Sequence, residues 1–160
     1  MGTWSGYLAC RRPADAAVLL GHGAEAWTPE TAPGWSIAEV ALRDFEADAI
    51  EETAGPALTA IVCDGDFADV IGTLDGEPCW RLYLNEANAG AYEAPLPAVP
   101  SADNKALHAQ MALWASKAGV QVDPEALREA IATHRDPADD ALLTLLAVLG
   151  LIPSPAAPRS

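Results

Sequence analysis

The residues from Ala57 to Leu84, ALTAIVCDGDFADVIGTLDGEPCWRLYL, constrain this chain more than any others, because they leave room for little but three strands and two turns. Ala57–Cys63 is an apolar run with enough β-branching to be a strand buried on both faces. Asp64-Gly65-Asp66 breaks it, since glycine reaches positive φ and aspartate caps its own turn. Phe67–Leu74 follows, and Asp75-Gly76 is the strongest short-range signal for a hairpin. The return strand, Cys79–Leu84, puts Trp80, Leu82 and Leu84 on one face and Arg81 and Tyr83 on the other.

Upstream, Thr3–Cys10 reads as a first strand, Asp15–Leu20 as a short helix, and 21–34 as loop, given its Gly and Pro content. Trp35–Leu42 reads as a second strand. Asp44 is placed to cap a helix running to about Ala54, with Gly55 and Pro56 stopping it. The order β-α-β-α-β-β-β predicts an α+β fold: a mainly antiparallel sheet with helices on one face. After a turn of helix at Asn85–Ala91, residues 95–100 form a stiff Pro-rich connector between a sheet domain (1–94) and a three-helix part (101–152) packed on it. Ser101 is the expected cap of the first of these helices. Its stripe is Leu107, Met111, Trp114 and Ala118. Asp123-Pro124 and Asp136-Pro137 open the other two, each proline taking the first helical position. Gly150 ends the last, with Leu151 placed for a Schellman contact, and 153–160 reads as a disordered tail.

Charge narrows the function. The net charge is −14, and it is unevenly spread: residues 1–99 carry 16 acids against four arginines, whereas residues 100–160 carry seven acids against five bases. Such a field repels nucleic acid and anionic membranes and attracts basic partners. The same acidity also serves solubility. No run is long enough to span a bilayer and no signal peptide is evident. Cys10, Cys63 and Cys79 sit in strand-like settings, as reduced thiols of a cytoplasmic protein would.

Motifs of catalysis are weak. Gly21-His22-Gly23-Ala24-Glu25-Ala26 matches a dinucleotide fingerprint, but Pro29 and Pro33 forbid the helix it must open, so no cofactor is expected. No CxxC or HxxxH pair suggests zinc. Asp64, Asp66 and Asp69 bring three carboxylates close in sequence, yet their spacing is not that of a calcium loop, and aspartate is a common turn residue. The sharpest surviving feature is the acidic segment bearing Asp44, Glu46, Asp48, Glu51 and Glu52. A solvated face is its plain explanation. A recognition surface for a basic protein, as in inhibitors or immunity-type proteins, is its functional one. The sequence thus favours a non-enzymatic acidic protein-binding module. The alternative is a small-molecule or metal-dependent enzyme with a site at Asp64, Asp66 and Asp69, near Trp80 and Tyr83.

Overall fold

The computed structural model describes residues 4–27, 30–45 and 47–153. Thr3 of the expected first strand, Glu46 of the acidic segment and residues 154–160 of the expected tail lie outside them. Six strands, β1 (Trp4–Arg11), β2 (Glu25–Ala26), β3 (Trp35–Ala41), β4 (Pro56–Cys63), β5 (Phe67–Leu74) and β6 (Glu77–Leu84), form one sheet in the order β2-β3-β1-β4-β5-β6. Every neighbouring pair is antiparallel. The helices are α1 (Ala16–Leu20), α2 (Glu86–Ala91), α3 (Lys105–Ser116), α4 (Pro124–Ala132) and α5 (Ala138–Val148). The fold is α+β, and β4, β5 and β6 form the meander that the Asp/Gly turns dictate.

Alternation along the strands divides the sheet's side chains between two faces. On the first face, Tyr7, Trp35, Leu58, Val70, Trp80 and Leu82 share one buried cluster with Met111, Trp114, Leu127, Leu142 and Leu145 of α3–α5. Trp114 is the keystone. Its ring centroid lies 6.1 Å from that of Trp35 and 5.4 Å from that of Trp80. Its indole N–H donates to the Thr73 carbonyl at 2.6 Å, so a large aromatic is buried without stranding its polar atom. Trp80 in turn lies flat on Gly72, where an added Cβ would sit 2.1 Å from the indole.

On the second face, α1 and the β3–β4 connection cover one side of the sheet, and α2 covers the far end of β4–β6, where Cys63, Phe67 and Tyr83 are buried with Ala89. Under α1 and the connection, Leu8, Cys10, Ala38, Val40 and Ala57 are buried by Ala16, Leu20 and Ala49. Asp15 caps α1 by accepting from the backbone N–H of Ala17 and Val18, which is the short helix the sequence indicates.

Four local expectations are corrected. The acidic segment is no helix capped by Asp44: it is two 3₁₀ pieces, Leu42–Asp44 and Ala47–Glu52, and Phe45 between them is extended at φ −76 and ψ 117. The reason is packing. The Phe45 ring fills the place over Gly6, where an added Cβ would lie 2.4 Å from it, and an unbroken helix full of like charges has little to offset that contact. The expected loop at 21–34 contains β2. Asn104, not Ser101, caps α3, accepting from Leu107 N–H at 3.1 Å, while Ser101–Asp103 forms a 3₁₀ turn. Pro137 occupies the cap position of α5, not its first turn, whereas Pro124 opens α4 as read. Gly150 does end the last helix, with Leu151 N–H donating to the Leu146 carbonyl at 2.9 Å and the Leu151 side chain buried.

Candidate functional site

The acidic segment acquires a setting that its own residues do not reveal. The Asp75-Gly76 turn reaches across and packs beneath it. Gly76, at φ +83, brings its Cα so close that an added Cβ would be 3.0 Å from the Glu51 carbonyl oxygen. Asp75 fastens the turn in place: its carboxylate accepts from Gly55 N–H at 2.7 Å, and its own N–H donates to the Gly55 carbonyl at 3.0 Å. Between the turn and the 3₁₀ piece lies a cavity of about 480 Å³, walled by Ile50, Thr59, Ile71 and Pro78 and rimmed by Glu51, Asp75 and Glu77. No basic residue lines it. A hollow with apolar walls and a carboxylate rim accepts a cationic group carried on an apolar stem or beside an apolar anchor.

Of the five acids the sequence singles out, Asp48, Glu51 and Glu52 are exposed on this rim or beside it. Asp44 is set apart and half-buried, 3.5 Å from Arg43. Glu46 lies outside the described residues. Asp75 and Glu77 are the acids that sequence reasoning missed. Their only signal was a place in a hairpin turn, which says nothing of what the turn will touch.

The three aspartates of the alternative site are drawn to different tasks. Asp69 pairs side-on with Arg81, its two oxygens accepting at 2.9 Å and 2.7 Å. Asp66 accepts from the Tyr92 hydroxyl, which also stands 3.4 Å from Asp64. The hydrogen bond to Asp66 favours the neutral phenol and pushes Tyr92 up to about 12. The Asp66 carbonyl is taken by the side-chain amides of Asn85 and Asn88. Among the described residues, no three His, Cys, Asp or Glu side chains gather as they would round a metal ion.

A second hollow, about 200 Å³, opens beside Tyr83, Glu86, Ser101 and His134. The Ser101 hydroxyl is already committed, because its Oγ donates to Glu86 at 2.5 Å, and His108 meets the Ser101 carbonyl, not the hydroxyl. A nucleophile needs a base within reach of its proton, and the group that holds this one is a carboxylate already tied to the Ser101 backbone N–H. Two of the three thiols are no better placed for such work: burial, before any charge, pushes both Cys10 and Cys63 up to about 11.

Among the described residues, no helix is long and apolar enough to cross a membrane. No family model, curated protein or solved structure matches this chain. Function therefore rests on the α+β fold and the chemistry of its surface.

Proposed function

We propose that this protein is a non-enzymatic acidic binding module, of the inhibitor, immunity or regulatory kind, that acts on a basic protein partner. The supporting observation is the meeting of Glu51, Asp75 and Glu77 round a hollow whose walls include Ile50, Thr59 and Ile71. Charge at the rim steers a cationic partner in, and the apolar walls hold it once water is displaced. With a net charge of −14 the protein repels nucleic acid and anionic lipid at long range, so a basic protein is the macromolecule it accepts.

Salt-series kinetics on a partner recovered from the native source tests this reading. The on-rate should fall by about tenfold or more between low and high salt, as steered association does. Neutralising Asp48, Glu51 and Glu52 together, as D48N/E51Q/E52Q, should lower the on-rate at low salt and flatten its salt dependence. A partner whose on-rate ignores both salt and the triple substitution would end the proposal.

A further inference from the structure

On the sheet's second face, a strip of β4–β6 between the part under α1 and the 3₁₀ pieces and the end under α2 is left open, and it continues from the acidic hollow. Beyond the reach of α1 and the 3₁₀ pieces, the cross-strand row Thr59, Ile71, Arg81 and the next row Ile61, Asp69, Tyr83 cross β4, β5 and β6. Thr59, Ile61 and Ile71 are half-buried, and Arg81 is exposed. Thr59 and Ile71 are also walls of the hollow, so the two surfaces are continuous. At the far end stand Trp4, 40 % exposed, and Tyr92, 38 % exposed, edge to face at 6.3 Å. Tyr92 rests on Phe67, and Phe67 on Tyr83.

The open face of an antiparallel sheet is ordinarily polar, alternating with its buried one. Here Ile61 and Ile71 take two of the six places, beside Thr59, an Asp69–Arg81 pair that neutralises itself and the buried Tyr83. Acids close both ends: Glu51, Asp75 and Glu77 at the hollow, and Asp64 and Asp66 beside Tyr92. Arg81 is the one cation along these two rows. It is neutralised by Asp69 and lies 5.4 Å over the Tyr83 ring. A second copy of this chain would bring its own excess of carboxylates against these acids, which like charge opposes. The edge of the sheet offers no simple alternative. Pro78 of β6 has no N–H, and the register shift that pairs Thr73 with Pro78 and Gly72 with Trp80 leaves Cys79 as an extra residue that kinks the edge.

We infer that this open strip, from the acidic hollow to the Trp4–Tyr92 pair, is one docking surface for a basic protein segment with apolar anchors. The inference rests on the binding-module reading and adds where the anchors sit. Leu- or Val-like side chains lie over Ile61 and Ile71, and lysines or arginines reach the carboxylates at either end. From the Asp75 turn to Phe67, on which Tyr92 rests, the eight residues of β5 span about 23 Å at ~3.3 Å per residue, so a segment that reaches the acids at both ends is extended and about eight residues long.

Two synthetic peptides of about that length serve as probes: oligolysine, and one alternating lysine with leucine. Binding followed by backbone and indole NMR shifts at low salt should place the alternating peptide on Thr59, Ile61, Ile71, Arg81 and the Trp4 indole. Ile71→Ser should weaken that peptide roughly fivefold or more and leave oligolysine within about twofold, because only apolar contact is lost. Ile71→Thr, which also removes only apolar contact and suits a strand, provides the same readout if Ile71→Ser does not fold. Equal binding of both peptides, with shifts confined to Glu51, Glu52, Asp75 and Glu77, would overturn the docking face and leave the acidic-module reading standing. Binding of neither peptide would remove both. A concentration-dependent dimer that Thr59→Lys abolishes would overturn the inference by making a second copy the occupant.

Discussion

Gly76 rests against the backbone of Glu51: an added Cβ would stand 3.0 Å from the Glu51 carbonyl oxygen and 3.1 Å from its Cα. The contact joins a hairpin turn to the acidic 3₁₀ piece and creates the hollow between them. Backbone cannot retreat as a flexible side chain can, and the φ of +83 already excludes most residues. Gly76→Ala should therefore cost about 2 kcal/mol or more in chemical denaturation, from a left-handed backbone and a backbone clash together. Gly76→Asn, which tolerates the left-handed region better, should recover little. Full recovery by asparagine would mean that the close approach to Glu51 is unimportant.

The exposed acids of that 3₁₀ piece repel one another at close range. Replacing Asp48, Glu51 and Glu52 by their amides should leave thermal stability unchanged or raise it by a few tenths of a kcal/mol. A marked loss of stability would mean that these carboxylates hold the fold together and are not held in reserve for a partner.

Asn85 pins the Asp66 turn to the segment between α4 and α5. Its amide N–H₂ donates to the carbonyls of Asp66 at 3.1 Å and Arg135 at 2.7 Å, and its oxygen accepts from Arg135 N–H at 3.1 Å. Its backbone is left-handed, at φ 54 and ψ 48. Asn85→Gly keeps that conformation cheap and deletes only the amide, so its cost reports the clamp alone. About 1–2 kcal/mol is expected, because the part-buried N–H and carbonyl of Arg135 lose their partner while Asn88 still holds the Asp66 carbonyl. A variant as stable as the parent would show that water replaces the amide at no cost.

Thiol chemistry should separate the three cysteines. Cys10 and Cys63 are buried with ionisation pushed up to about 11, whereas Cys79 is half-exposed. At pH 8 a disulfide reagent should modify Cys79 rapidly and the other two only as the protein opens. Because ionisation of both buried thiols is raised from 9.0 in the native state, the unfolded chain releases those protons first. Their contribution to stability is complete below about pH 9 and lost as pH rises through about 11. An alkaline melting series in which Cys63→Ala leaves that loss unaltered would contradict this assignment for Cys63.

Millimolar Mg²⁺ or Ca²⁺ should leave the melting temperature where an ionic-strength control puts it, since Asp69 is held by Arg81 and Asp66 by Tyr92. A saturable rise that Asp66→Asn abolishes would instead demonstrate selective binding to the native state.

Much of the architecture was legible because its signals are local. The Asp75-Gly76 hairpin, the alternation of Trp80, Leu82 and Leu84 against Arg81 and Tyr83, the Asp123-Pro124 opening of α4 and the Gly150 stop all lie within a few residues of what they control. Local signals also misled where a distant partner outbid them. Ser101 looks like a cap, but its hydroxyl goes to Glu86, and Asn104 takes the role. Asp44 looks like a cap too, until Phe45 is required over Gly6.

By itself, then, the amino-acid order determined five of the six strands, the two Asp/Gly turns between β4, β5 and β6, some helix ends and an excess of negative charge in the first hundred residues. Only the tertiary structure decided which acids meet. It set Glu51 beside Asp75 and Glu77, drew Asp69 away to Arg81, and left Ile61 and Ile71 only half-buried on the strip between α1 and α2. The physical reason is range. Turn and capping chemistry acts through bonds and a few neighbouring residues, whereas a site is made by groups far apart in the chain whose proximity depends on how the whole core packs.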